Sequence, residues 1–295
     1  MPSESGGASM MGAAAVEEPY PHFVRDGVFS DQTRADMHRN WPGKGYFYAE
    51  IPGNYVCNLS LLPGSFYWQN FLAQEVPNVI FGTLGVFAPY IKARYPNETQ
   101  FETYVCALMQ SSGNYGGHDV HNHHYHDPTF VATILIYLDT VQTGHHGTTL
   151  LRTKPGMDEA RCAAKTLMWH DLTEEHRTVE YRPGRIFAFY DNAIAYHEVR
   201  PSAPGALFGR RIFRLHVRTD PSHCERLYGV DYETYQKKRR FPSEDPQVLA
   251  WMRKDIEEMR SSPKLTLDER AAWLNSISVH IGHMPVEEPG EQAIA

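Results

Sequence analysis

The chain has 295 residues, and its composition limits the classes of protein to which it can belong. Hydrophobic residues make up 42% of it, enough for a sizeable core in one large domain or two small ones. Thirty-five acidic residues against 28 basic ones leave a net charge of −7, which argues against binding nucleic acid through its phosphates. The longest apolar runs, such as Phe130–Leu138, are far shorter than a membrane helix, so no membrane partner is expected.

The cysteines and the N-terminus indicate a cytoplasmic protein. Four cysteines without a C-x-x-C pair are sparse for a disulfide scaffold, so free thiols are expected. The first 18 residues are small and polar, without the basic flank and apolar stretch of a secretory signal. We expect a disordered tail over residues 1–18.

The predicted elements begin with helices. An N-cap pattern at Ser30 predicts a short helix to about Asn40, and apolar residues at helical spacing predict helices over Ser65–Glu75 and Pro77–Tyr95. The last of these is expected to be broken by two glycines and an inner proline, namely Gly82, Gly85 and Pro89.

From residue 101 the chain is typical of short strands separated by turns. Segments rich in Val, Ile, Tyr, Phe and Thr cover Phe101–Gln110, Val131–Asp139, Thr148–Arg152, Arg185–Tyr190 and Arg211–Arg218. Strands of this length predict a mostly antiparallel β-sandwich or barrel.

Helical spacing returns in the last part of the chain, over Asp245–Arg260 and Thr266–Asn275. These changes divide the sequence into the tail of residues 1–18, a β domain with N-terminal helices over residues 19–225, and a helical extension over residues 226–295.

Histidines are concentrated in one short segment, because five of the 16 lie within residues 118–126. Alternate side chains of a strand share a face, so His124 and His126 can point to a common centre. Two imidazoles at this spacing chelate a metal when a third ligand arrives from elsewhere in the sheet. His197, which follows a turn, an apolar strand and a short loop, would be that ligand.

One arginine falls on the apolar face of the last predicted strand. Arg211 shares strand phase with Phe213 and Leu215, and an arginine on such a face needs an anionic partner. A carboxylate cosubstrate would supply one through bidentate hydrogen bonds. Arg210 and Arg214 are nearby alternatives.

The segment from about Tyr20 to Arg218 resembles the 2-oxoglutarate-dependent iron(II) oxygenases of the prolyl-hydroxylase-like type. The motifs that carry the resemblance are Tyr20-Pro-His-Phe-Val, Asn40-Trp-Pro, His124-Tyr-His126-Asp-Pro128, Tyr137-Leu138, Gly147-Thr148 and His197-Glu-Val199. The resemblance implies a mainly β fold with flanking helices (α+β), a double-stranded β-helix or jelly roll. It also implies iron(II) bound by His124 and His197, and 2-oxoglutarate whose distal carboxylate is held by Arg211 and Tyr137.

One position departs from the family pattern, because this chain has His126 where the family has the carboxylate of H-x-D. Three interpretations stay open. His126 itself binds the metal, a slip of the loop brings in Asp127, or the register shifts to His121 and His123, with Asp119 as a further candidate.

The two histidine registers exclude each other in a regular strand, because His121 and His123 face one side and His124 and His126 the other. The spacing to the following tyrosine and to the Asp-Pro turn favours the second pair. We therefore predict a metal site of His124, His126 and His197. Three neutral imidazoles would alter the redox potential of bound iron. Nitrogen-rich sites also tend to favour copper and zinc in their affinity.

The predicted function is that of a non-haem iron dioxygenase that uses 2-oxoglutarate and O₂ to oxidise an unactivated C–H bond, by hydroxylation unless the site directs otherwise. The substrate would be a small molecule or amino-acid-like compound. Two alternatives are a three-histidine dioxygenase that needs no 2-oxoglutarate and a jelly roll that holds a metal without catalysis. The sequence leaves open the substrate, the metal, and whether the C-terminal helices form a homodimer or cap the substrate pocket.

Overall fold

The computed structural model describes residues 14–51, 53–62, 64–110, 118–138, 147–165, 169–200, 210–240 and 243–282. Residues 1–13 of the predicted tail lie outside the described residues. Two β-sheets pack face to face, with the His197 ring of one sheet 4.6 Å from the Phe189 ring of the other. The predicted double-stranded β-helix with flanking helices is confirmed.

The larger sheet contains eight strands. They are β1 (His22–Arg25), β2 (Tyr48–Ile51), β3 (Asn54–Asn58), β4 (Gln100–Gln110), β6 (Phe130–Tyr137), β9 (Ile186–Tyr190), β11 (Arg210–Arg218) and β12 (Ser278–Ile281). Their order is β1-β9-β6-β11-β4-β3-β2, with β12 added in parallel to β4 and all other pairs antiparallel.

The smaller sheet has four strands, β5 (His118–His121), β7 (Thr148–Thr153), β8 (Thr173–Val179) and β10 (His197–Val199). Their order is β5-β10-β7-β8. Because β10 lies between β5 and β7, His197 is paired with His121 on one side and with Leu150 on the other. This pairing brings the histidine cluster and the distal histidine to one place.

All five strands predicted from residue patterning are present, as β4, β6, β7, β9 and β11, and no end differs by more than two residues. The sequence does not predict the other seven strands, β1, β2, β3, β5, β8, β10 and β12. All of them except β8 are at most five residues long, which is too short for alternation to stand out.

The first helices are α1 (Asp31–Arg39), with Ser30 as its N-cap, and α2 (Phe66–Arg94). The predicted break in α2 is wrong, since it continues for 29 residues through Pro77 and Pro89. Tertiary packing overrides local propensity there. The helix is long and apolar enough to cross a membrane. However, 61% of its most apolar stretch of 18 residues is buried inside the protein, as in a core helix.

The remaining helices are α3 (His123–His126), α4 (Glu159–Ala164), α5 (Trp169–Leu172), α6 (His223–Tyr228), α7 (Tyr232–Arg239), α8 (Pro246–Arg260) and α9 (Leu267–Leu274). The predicted helices near the C-terminus are α8 and α9. Apolar side chains of both, among them Met252 and Trp273, belong to the same core as the sheets. The division at residues 225 and 226 stays a prediction.

Candidate metal centre

Three histidines from two distant parts of the chain converge between the sheets. One potential ligand atom from each of His121, His123 and His197 lies within 4.8 Å of the others. The ring centres of His121 and His123 lie 4.1 Å and 4.7 Å from that of His197. His197 is buried and the other two are half-buried. A group of imidazoles at this spacing can hold a transition metal ion.

The chain brings His121 and His123 to one side by ending a strand between them. His121 is the last residue of β5, and His123 is the first residue of the helical turn α3. Asn122, at the junction, is 1% exposed and donates a hydrogen bond of 2.9 Å from its amide to the carbonyl of Asn192. This bond anchors the junction to the loop that leads into β10.

Backbone carbonyls orient two of the three rings. Nδ1 of His121 lies 2.8 Å from the carbonyl oxygen of Asp119, and Nδ1 of His197 lies 3.0 Å from that of Ala195. A neutral imidazole that donates from Nδ1 carries its lone pair on Nε2, so both rings are in the tautomer that suits a metal.

The ring of His123 belongs to a hydrogen-bonded cluster of polar side chains, whose other members are Asp191, Thr133 and His216. Nδ1 of His123 lies 3.2 Å from Oδ1 of Asp191 and 2.9 Å from the Thr133 hydroxyl, which donates to Oδ2 of Asp191 at 2.7 Å. Burial raises the pKa of Asp191 to about 7. Burial and the charge of Arg214 hold the pKa of His216 well below its usual value, which keeps that ring neutral.

The same three histidines line a cavity of about 220 Å³ that also contains Arg210 and Arg214. Arg210 is 2% exposed, and its Nη1 donates to Oε1 of Gln110 at 3.2 Å. Its Nε and Nη2 find no hydrogen-bond partner among the described residues. A buried cation with unpaired donors calls for an anionic ligand.

Two tyrosine rings support Arg210. The guanidinium lies 5.3 Å from the ring centre of Tyr137 and 5.2 Å from that of Tyr181. The Tyr137 hydroxyl lies 2.9 Å from the Thr148 hydroxyl, and Thr148 also lines the cavity. Tyr137, a predicted cosubstrate residue, therefore lies beside the buried arginine.

Arg211 does not line the cavity, which corrects the predicted anchor. Its guanidinium lies 5.5 Å from the ring of Trp41, and its Nη1 lies 3.4 Å from Nδ1 of His38 in α1. Residues of a strand face alternate sides, so Arg210 and Arg214 face the other sheet while Arg211 faces the helices. The apolar face of β11 packs under helices and is not the face of the candidate site.

His124 does not belong to the histidine triad, which corrects the predicted register. Its Nε2 lies 3.2 Å from Oδ2 of Asp255 and 3.0 Å from both the Arg94 guanidinium and the Tyr228 hydroxyl. The predicted strand is a helical turn here, in which successive side chains are turned by roughly 100°. Alternation by two residues therefore does not apply. The side chain of His126 lies outside the described residues.

The two acidic alternatives contribute differently. Asp119 contacts His121 through its backbone carbonyl. Asp127 forms an ion pair with Arg218, and its Oδ1 accepts a hydrogen bond of 2.9 Å from the backbone of Thr129. Neither carboxylate is in the triad. Of the three interpretations that the sequence leaves open, the geometry agrees with the shift of register to His121 and His123.

These features define a jelly-roll protein with a three-histidine candidate metal site and a buried arginine in one cavity. No family model and no curated protein sequence matches the chain. Among solved structures, a prolyl-4-hydroxylase from Pseudomonas putida is 14% identical, with a TM-score of 0.45 over 68% of this chain and 92% of that one.

Two further structures are similar to a comparable degree. An oxidoreductase of the 2OG-Fe(II) oxygenase family from Burkholderia pseudomallei is 11% identical, with a TM-score of 0.42 over 72% of this chain and 88% of that one. A non-haem, α-ketoglutarate-dependent carbocyclase of nogalamycin biosynthesis is 11% identical, with a TM-score of 0.44 over 67% of this chain and 79% of that one. All three are distant from this chain, with TM-scores below 0.5.

Proposed function

We propose that the protein is a non-haem iron(II) oxygenase that uses 2-oxoglutarate as cosubstrate and binds its metal through His121, His123 and His197. The observation that carries the proposal is that the triad shares one cavity with Arg210, a buried cation whose Nε and Nη2 have no hydrogen-bond partner among the described residues. A dicarboxylate that contacts a metal at one end and a guanidinium at the other suits this arrangement.

In this proposal, bound iron(II) would activate O₂ while 2-oxoglutarate loses CO₂ to become succinate and a C–H bond is oxidised, by hydroxylation in the simplest case. The protein's own residues orient the reactants. Arg210 holds the distal carboxylate, and the rings of Tyr137 and Tyr181 restrict the position of its guanidinium. Residues of both sheets line the cavity.

We propose a small substrate, since the cavity is about 220 Å³. Glu50 also lines it, and accepts a hydrogen bond of 2.8 Å from Arg214 on the same wall. A wall that carries both charges suits a substrate with charged groups of its own, such as an amino-acid-like compound. Action in the cytoplasm without nucleic-acid or membrane partners is part of this proposal, as is the use of O₂.

A second candidate is a three-histidine dioxygenase that uses O₂ without 2-oxoglutarate. The triad favours it because, among the described residues, no carboxylate is part of the ligand set. The orphaned donors of Arg210 favour the first candidate, since a keto acid would satisfy them.

The deciding experiment is anaerobic reconstitution with iron(II) followed by titration with 2-oxoglutarate. We expect a weak visible charge-transfer band from a keto acid bound to the metal, and succinate release coupled to O₂ uptake once air is admitted. Iron binding without the band or succinate would reject the 2-oxoglutarate assignment. Failure to bind iron(II) at all would reject the proposed function.

A further inference from the structure

We propose that Asp191 provides, through His123, the negative charge that an all-histidine ligand set lacks. It would act as a positioning residue behind the metal site. The inference rests on the proposed function, since it assumes that the triad binds a metal ion.

Hydrogen bonds from neighbouring residues hold Asp191 in place. It follows the last residue of β9, and its backbone N–H donates to the carbonyl of Val131 at 3.0 Å. Thr133 donates to Oδ2, and Oδ1 faces Nδ1 of His123 at 3.2 Å. One carboxylate oxygen is therefore held on the strand, and the other is directed at the ring.

Burial makes this carboxylate dependent on a cation. Asp191 is 1% exposed. Its only ion-pair partner among the described residues is His123. A buried carboxylate is costly unless a positive charge and hydrogen bonds compensate for it. A metal ion on the far nitrogen of His123 would strengthen the donation from Nδ1 and so supply that compensation.

The rings of the triad have different partners at Nδ1. His121 and His197 direct Nδ1 to backbone carbonyls, which orient a ring but carry no net charge. His123 directs Nδ1 to the carboxylate of Asp191. In metal sites, a carboxylate behind a histidine raises the basicity of that ligand and fixes its orientation. The pair His123 and Asp191 can thus do part of the work of a ligating carboxylate without occupying a coordination position.

The test is an anaerobic Co(II) titration of Asp191→Asn, followed by the visible d–d absorption of the bound metal. The substitution keeps the shape of the side chain and its hydrogen bond to Thr133 while removing the charge. We expect the Kd for Co(II) to rise by about 10- to 100-fold and the absorption maximum to shift. The matched control is Asp127→Asn, a buried carboxylate paired with Arg218, which should leave the affinity unchanged within about threefold.

The outcomes separate this inference from the proposed function. If wild type binds Co(II) and Asp191→Asn binds it as tightly with the same spectrum, Asp191 has no role in the metal site. If wild type binds neither Co(II) nor iron(II), the proposed function fails first. Should Asp191→Asn not fold, Thr133→Val removes the hydrogen bond that orients the carboxylate. It should weaken binding several-fold, and unchanged binding would overturn the inference.

Discussion

His123 and His124 are consecutive in the chain, yet their rings serve different parts of the molecule. The His123 ring lies 4.7 Å from that of His197, whereas Nε2 of His124 lies 3.2 Å from a carboxylate oxygen of Asp255 in α8. The turn α3 thus connects the candidate metal site with a buried polar network that holds the C-terminal helices. Substitutions at these two positions should have separable effects.

The histidine register can be tested by comparing His121→Ala with His124→Gln. Loss of His121 removes a ligand, so we expect affinity for Co(II) to fall by more than about 100-fold. Loss of His124 should leave Co(II) affinity within about threefold but lower the free energy of unfolding by about 2 kcal/mol, since a buried hydrogen bond to a charged group is lost. Metal titration and denaturant unfolding measure the two effects. The reverse pattern would restore His124 as the ligand.

The anchor of the cosubstrate can be tested with neighbouring arginines that face opposite sides of β11. We expect Arg210→Gln to raise the Kd for 2-oxoglutarate by about 30-fold or more, because truncating one partner of a buried charge pair costs about 2 kcal/mol or more. Arg211→Gln is the matched control and should bind the keto acid as wild type does. Titration of the charge-transfer band provides both constants. A weakening confined to Arg211→Gln would show that the strand faces are misassigned.

The buried pair of Arg94 and Asp255 should be important for stability. Nη1 of Arg94 lies 2.6 Å from Oδ1 of Asp255, and both side chains are at most 3% exposed. We expect Arg94→Met to lower the free energy of unfolding by about 3–5 kcal/mol, because it leaves a buried charge without its partner. Arg152→Met, in the exposed pair with Glu174, should cost less than about 1 kcal/mol. Equal losses in the two variants would contradict this role.

The same pair predicts how stability depends on pH. Burial alone would raise the pKa of Asp255, but the charges of Arg94 and His124 outweigh it and hold that pKa well below its usual value. A depressed pKa in the folded state stabilises the protein above the unfolded value of about 4, and this contribution is lost as the pH falls toward the folded value. Asp255→Asn should therefore flatten the fall in unfolding free energy below about pH 4. A wild-type slope in that variant would refute the assignment.

A close backbone approach makes Gly147 sensitive to substitution. A Cβ built at Gly147 would lie 1.5 Å from the carbonyl oxygen of Val179, across the pairing of β7 and β8. We expect Gly147→Ala to lower the free energy of unfolding by about 3 kcal/mol, since neither backbone segment can move without disturbing the ladder. At Gly45 an added Cβ meets nothing within 4 Å, so Gly45→Ala should be close to neutral. Thermal unfolding of the two variants compares them directly.

The sequence by itself determined five of the strands and the fold class. The core strands β4, β6, β9 and β11 are rich in β-branched and aromatic residues bounded by turn residues, which is local information. The sequence also predicts that His197 lies near the histidine cluster. Segments that are distant in the sequence meet when their strands are neighbours in a jelly roll. Asp191 carried no motif that could have identified it.

Only the tertiary structure decided which histidines and which arginine face the site. The end of β5 depends on Asn122, whose partner Asn192 is 70 residues away, and this end replaces a strand by a helical turn. The choice between Arg210 and Arg211 depends on which face of β11 the second sheet covers, and α2 continues through its prolines because of its buried surroundings. All three features depend on contacts between segments that are far apart in the sequence. The local sequence around each of them therefore cannot predict it.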